Sequence, residues 1–348
     1  MPIVPDLLER ALIGRLNVLP GILLDYAATL AFRAAIVASR LGIYDALAAR
    51  PLTTAEVAGA TATDARAVAQ LLGALRTLGY LQRLGSTWSL TPQSRRWLTS
   101  SSPDSIVTGL PFLEWNALTI WDELEGAVRA GGPRRPLYEV LEASPGRSAD
   151  FQAWDRIAGI LIGQHLVGRM PIPSGPRRLL DLGGGNGIFS LLLCRRHAGL
   201  TATIVDLPGA LGSAEPAIDE AGLRDRISTR AGDFLVADLG VGFDVVLVAN
   251  VLHGLSAHDG ERLIRRAAGA LGPGGVLLVV DQDTNSGAGA ATTASTALLD
   301  LGYLVALGGG SWPVATIRDW LRRAGLVDLR TFRTRRAPGN VIVAGWNR

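Results

Sequence analysis

The chain has 348 residues, 48% hydrophobic and 19% charged, enough for one large or two ordinary domains with real cores; wholesale disorder is excluded. Its formal net charge of +3 is too weak a bias to imply a nucleic-acid partner. The sequence contains no lysine, which excludes P-loop and Schiff-base chemistry.

The N-terminus has no basic region leading into an apolar core. The most apolar early stretch, 26–38, is interrupted by Arg33 and reads as too short to span a bilayer. The single cysteine, Cys194, cannot close an intramolecular disulfide. A reduced, cytoplasmic setting without membrane attachment is therefore expected. The four histidines are scattered without zinc spacing, so no metal site is expected.

Residues 29–40 place apolar side chains on a wide helical stripe, and a short helix ends near 49. Thr53 and Glu56 have the spacing of a capping box. A further helix is predicted over 64–78, then a hairpin turning at Gly85 between Leu81 and Trp88-Ser89-Leu90. Three helices and a hairpin are the order of a winged helix. Residues 92–170 read as mostly helical, with loops at 100–103 and 131–136. From Arg178 the pattern changes to short apolar runs at 179–182, 202–206, 243–249 and 276–281, alternating with helical stretches. That alternation predicts a doubly wound, mainly parallel sheet. Segments 328–334 and 340–346 are expected to close it as an antiparallel pair. The division expected is 1–100, 101–170 and 171–348.

The strand Arg178-Leu179-Leu180-Asp181-Leu182 runs into Gly183-Gly184-Gly185-Asn186-Gly187, with a helix from about Ile188. The dinucleotide fingerprint G-x-G-x-x-G does not fit, because its third position falls on Ile188 or Ser190. The spacing is acid-x-G-x-G-x-G. An acid at the strand end would repel a pyrophosphate and suit the cationic amino group of an amino-acid-like ligand. Asp206 ends the next strand, nineteen residues after Gly187, where an acid accepts ribose hydroxyls. Asp233 follows a short strand at 227–229; it can accept from an adenine amino group while Phe234 covers the ring.

With these motifs in order, 178–282 resembles class I S-adenosylmethionine-dependent methyltransferases. The whole chain is similar to the O-methyltransferase group of plant caffeate O-methyltransferases and bacterial antibiotic-tailoring enzymes such as carminomycin 4-O-methyltransferase. The pieces that carry the resemblance are 180–187, Asp206-Leu207-Pro208, Gly232-Asp233-Phe234, Asn250-Val251-Leu252-His253 and Leu271-Gly272-Pro273-Gly274-Gly275, with Leu41-Gly42-Ile43-Tyr44-Asp45-Ala46-Leu47 in the N-terminal part. It implies an α/β fold: a Rossmann-like sheet of seven strands, the last pair antiparallel, behind an N-terminal winged-helix dimerisation domain. It implies a homodimer and a cofactor set of Asp181, Gly183, Gly185, Gly187, Asp206, Leu207, Asp233, Phe234 and Asn250 for S-adenosylmethionine, released as S-adenosylhomocysteine.

The resemblance also makes His253 the catalytic base. A phenol of pKa about 10 is mostly neutral at pH 7, and a positioned histidine can take its proton as the new bond forms. The sequence departs from the family here. Gly254 and Leu255 replace an acid and a tryptophan, and Ser311 stands where an orienting glutamate is expected. Asp281, Asp283 and Asp300 are the candidates to orient the ring instead. The reaction implied is methylation of a hydroxyl, phenolic by analogy, on an aromatic or polyketide-like secondary metabolite. The alternative is a relative that keeps the cofactor site but performs hydroxylation, decarboxylation or a pericyclic reaction.

Trp115, Trp154, His165, Tyr303 and Trp312 are the expected acceptor-pocket residues, with Phe112, Trp121 and Phe151 further aromatic candidates. Tyr26 is a candidate to enter the partner's pocket across a dimer. His258 reads as surface, His197 as a helix-end cation and Cys194 as core. Arginine doublets are spread over the whole chain, and helix 64–78 is an apolar packing helix, so DNA binding is not expected.

Overall fold

A computed structural model describes residues 7–16, 18, 20–175, 177–284 and 289–348. The chain forms two compact units, Met1–Glu114 and Trp115–Arg348.

In the first unit, helices Ile22–Arg40 and Ile43–Ala46 precede strand β1 (Leu52–Thr53). Helices Thr54–Thr61 and Ala65–Thr77 lead into a hairpin of β2 (Leu81–Leu84) and β3 (Thr87–Leu90). Thr53 and Glu56 form the capping box, and Asp64 caps the next helix through Ala67 N–H. The strand order is β1-β3-β2, antiparallel throughout. Tyr44, Leu47, Leu72, Leu75 and Trp88 are buried together between helices and hairpin.

The first long helix starts at Ile22, earlier than the stripe at 29–40 indicates. At 19 residues it is, like Ala290–Leu307, long and apolar enough by length and composition to cross a membrane, which corrects the expectation that the early apolar stretch is too short. Its Ile22, Leu23, Tyr26 and Leu30 are exposed.

The second unit opens with helices that include Leu137–Glu142 and Pro145–Leu166. Then come β4 (Arg177–Leu182), β5 (Leu200–Asp206), β6 (Ile227–Ala231), β7 (Phe243–Ala249), β8 (Leu271–Gln282), β9 (Val327–Phe332) and β10 (Asn340–Trp346). They form a seven-stranded sheet of order β6-β5-β4-β7-β8-β10-β9, in which β10 runs antiparallel to both neighbours. Alternate residues enter two separate cores. Leu179, Val245 and Leu278 pack on one side of the sheet, and Leu180, Val246 and Leu277 on the other. Both faces are covered, so 245–249 of β7 and 276–280 of β8 read as continuous apolar runs.

From β4 the chain builds outward through β5 to β6 on one side, then crosses back to β7 on the other side of β4. The carboxyl ends of β4 and β7 therefore border a switch point, where an open α/β sheet leaves a crevice.

Candidate active site and cofactor cavity

A cavity of about 410 Å³ opens at that crevice, lined by the loops after β4, β5, β6 and β7 and by helices Leu137–Glu142 and Pro145–Leu166. Its floor is the glycine loop. Gly183 and Gly185 have φ of +70° and +49°, a region that favours glycine. A Cβ on Gly183 would meet Val251 Cγ2 at 2.5 Å. One on Gly185 would stand 3.9 Å from carboxylate oxygens of both Asp155 and Asp206. Gly187 does not line the cavity. It takes the left-handed turn that starts helix Ile188–Arg196, where a Cβ would meet Ile204 Cδ1 at 2.8 Å.

Asp181 is 1% exposed. Its Oδ2 accepts from Ser190 Oγ at 2.6 Å, and Oδ1 is buried without a hydrogen-bond partner. Burial pushes its carboxyl up to about 7. Asp206 Oδ2 accepts from Gly185 N–H at 2.8 Å and Oδ1 from Leu207 N–H at 2.7 Å, so two backbone donors hold this carboxylate at the cavity wall. Asp233 Oδ1 accepts from Leu235 N–H at 2.8 Å. Phe234, Leu207 and Asn250 complete the wall; Asn250 has φ +56° and accepts from Gln282 Nε2.

Asp155 and Tyr138 also line the cavity, though the sequence did not single them out, and so does Asn186 of the glycine loop. Asn186 donates from Nδ2 to Asp155 Oδ2 at 2.7 Å and accepts from Ile188 N–H at 3.0 Å. The loop position of Asn186 was a signal available in the sequence. Asp155, a lone acid on a long helix, looks like any solvated residue.

His253 lies on a 3₁₀ turn, Leu252–Gly254, after β7, and is 8% exposed. Asp281 near the end of β8 takes its ring Nδ1 at 2.9 Å and its backbone N–H at 3.3 Å. With Nδ1–H donated to the carboxylate, Nε2 is left as the free basic nitrogen. Tyr303 stacks on the imidazole at 3.8 Å between centroids and 9° between planes. Of the three acids considered, Asp281 orients the ring. Asp283 pairs with Arg333, and Asp300 accepts from Ser311 N–H. Ser311 Oγ is buried without a hydrogen bond, so Ser311 does not replace an orienting glutamate. Gly310 N–H donates to the His253 carbonyl at 2.9 Å, and a side chain on Gly309 would run into that carbonyl.

The expected acceptor aromatics divide. Tyr303 meets His253, and Phe151 lines the cavity with its ring edge-on to Tyr138 at 6.2 Å. Trp154 and His165 do not line it. Trp115 borders a separate hollow and lies under the Arg147 guanidinium. Trp312 donates to Leu252 O and packs on Trp320, which makes it a support of the turn. Of the other aromatics, Phe112 is buried in the first unit and Trp121 packs against Gly302.

A glycine loop after the first strand of the sheet, acids after the second and third, and an acid-held histidine after the fourth define an S-adenosylmethionine-dependent α/β methyltransferase. More narrowly, the chain belongs to the O-methyltransferase family. The O-methyltransferase domain model matches residues 121–327, and the O-methyltransferase dimerisation domain model matches residues 24–100. It is 30% identical to 3-hydroxy-5-methyl-1-naphthoate 3-O-methyltransferase of Streptomyces sahachiroi, over 87% of this chain and 88% of that protein. It is 32% identical to aclacinomycin 10-hydroxylase RdmB of Streptomyces purpurascens, over 83% and 79%. A similar solved structure is the O-methyltransferase NcsB1 from neocarzinostatin biosynthesis, in complex with S-adenosylmethionine and 2-hydroxy-5-methyl naphthoic acid. Its TM-score is 0.72 at 25% identity, covering 90% of this chain and 95% of that one. The chain is thus an S-adenosylmethionine-dependent O-methyltransferase.

Proposed function

We propose that the chain methylates a phenolic hydroxyl of an aromatic, polyketide-like secondary metabolite, with His253 as general base. The observation that carries this is the Asp281–His253–Tyr303 assembly at the mouth of the cofactor cavity. The naphthoate ligands of the relatives above support a fused aromatic acceptor.

The residues present fit the cofactor. The glycine loop is a cradle that side chains would fill, and the cavity's carboxylates suit a cationic ligand with a ribose. When bound, S-adenosylmethionine supplies an electrophilic methyl on a sulfonium. Asp206 would hold the ribose hydroxyls, Asp233 and Phe234 the adenine, and Gly183 and Gly185 the methionine arm. Leu207 and Asn250 would close the wall. Asp181 would act from beneath the loop. His253 Nε2 would take the phenol proton while Asp281 stabilises the resulting imidazolium, a contribution of roughly 10²–10⁴-fold. Phe151, Tyr138 and Tyr303 would flank the acceptor, so 101–170 is the segment that shapes acceptor choice. Homodimerisation through 1–100 and a cytoplasmic location fit the dimerisation-domain match and the biosynthetic relatives.

His253→Ala and Asp281→Asn should each lower kcat strongly, the first by roughly 10²–10⁴-fold, with S-adenosylmethionine affinity within about twofold of wild type. A labelled-methyl assay on hydroxynaphthoates is the direct measurement. Full turnover by His253→Ala would place the base elsewhere. A second reading, hydroxylation as in RdmB, rests on that relative alone; oxidised product without label would favour it.

A further inference from the structure

The cavity is lined by five carboxylates, Glu142, Asp155, Asp181, Asp206 and Asp233, and by no arginine among the described residues. Three of them fall in the motifs read for cofactor binding. Asp155 does not, and it comes from the helix Pro145–Leu166 that faces the glycine loop. It is held in place: Asn186 of the loop donates to its Oδ2, which lies as close to the space above Gly185 as Asp206 Oδ2 does. No arginine or other cation pairs with it among the described residues. Helix Pro145–Leu166 is fixed against the loop by Gly159, whose Cα packs on Ile188.

Asp155 Oδ2 and Asp206 Oδ2 both stand 3.9 Å from a Cβ built on Gly185, and His253 lines the same cavity. In S-adenosylmethionine the sulfur is one carbon from the ribose and carries the methyl that must point at the acceptor. A carboxylate that shares the space at Gly185 with the ribose acid, in a cavity that the acceptor's base also lines, would therefore lie near the sulfur. The sulfonium cofactor carries one positive charge more than the thioether product, and the two are otherwise alike at this point. We propose that Asp155 is the counter-charge to the sulfonium, the residue by which this site distinguishes S-adenosylmethionine from S-adenosylhomocysteine. This rests on the cofactor placement proposed above. Asp155 then favours the loaded cofactor and loses its partner when the methyl leaves, which promotes release of the product.

Burial pushes the Asp155 carboxyl up to about 6, with Asp206 adding to the rise and His253 opposing it. Tyr138 and Tyr303 are the other ionisable groups whose titration it influences. The discrimination should accordingly be present above about pH 6 and fade below it.

The test is calorimetric titration of the full-length protein with S-adenosylmethionine and with S-adenosylhomocysteine, at about pH 7.5 and about pH 5. Asp155→Asn keeps the shape and the acceptor oxygen for Asn186. It should weaken S-adenosylmethionine about tenfold at the higher pH, leave S-adenosylhomocysteine within about twofold, and remove most of the pH dependence of their ratio. Asp155→Glu should retain part of the preference. Thermal melting checks that both variants fold. Equal losses for both ligands would reduce Asp155 to a prop for the loop and overturn the proposal. Unchanged binding of both, or an effect confined to the acceptor's KM, would overturn it as well. Wild-type protein that binds neither ligand would instead sink the cofactor placement underneath it.

Discussion

Asp181 shows how one buried side chain can serve a loop at a cost to the fold. Its Oδ1 has no hydrogen-bond partner among the described residues, and its carboxyl is raised from the ordinary 3.8 to about 7. A raised carboxyl binds a proton more readily in the folded chain than in the unfolded one. Between about pH 4 and pH 7 the native state then holds the extra proton, so this group's contribution to stability falls as pH rises through that window. Above pH 7 the full cost of a buried charge is present. Asp181→Asn should therefore raise the apo protein's melting temperature at pH 8, and the gain should shrink toward pH 5. A gain that is flat with pH would mean that the carboxyl is charged throughout. At the same scale, His253 depends on three contacts of different kinds: the Asp281 carboxylate, the Tyr303 ring, and the close approach of Gly309 and Gly310.

Two helices meet where Gly159, which has no side chain, faces the side chain of Ile188. A Cβ at 159 would lie 2.5 Å from Ile188 Cγ2, a β-branched side chain with little freedom to move. In an exposed helix, glycine to alanine would gain about 1 kcal/mol. Here overpacking of about 1–3 kcal/mol should outweigh it. Gly159→Ala is thus expected to lower stability measured by chemical denaturation, and to weaken S-adenosylmethionine binding, because Ile188 opens the helix that follows the glycine loop. A stabilised variant would show that the helices can part at no cost. The strands need no such detail: β7 and β8 are apolar on both faces and sit between two cores, which leaves them no alternative placement.

The assembly is legible in a surface that a monomer would not keep. Ile22, Leu23, Tyr26 and Leu30 are 52–73% exposed on one 19-residue helix, whose residues from 24 on fall in the dimerisation-domain match. Sedimentation of the wild type should give about twice the 36.6 kDa chain mass. The double substitution Leu23→Asp, Leu30→Asp should return it to one chain mass while leaving the sheet domain folded. A wild-type monomer, or a dimer that survives both charges, would overturn this assignment of the surface.

Much of the fold could be read along the chain because its signals are local. Strands β7 and β10, the capping box at Thr53 and Glu56, the hairpin around Gly85 and the glycine loop each depend on residues a few positions apart. The same holds for Asp206, Asp233 and His253, which belong to motifs at strand ends. What sequence could not supply was the pairing of groups distant along the chain. Asp281 was one of three acids until β8 was laid beside β7. On helix Pro145–Leu166, Asp155 lines the cavity while the expected Trp154 and His165 do not. The phase of a helix against its sheet is set by packing at contacts such as Gly159 on Ile188, and hydrophobic periodicity alone does not encode it. The sequence by itself determined the class of enzyme and the cofactor loop. Only tertiary structure decided which acid holds His253 and which acid meets Asn186 beside the glycine loop, because both depend on side chains that meet across separate elements.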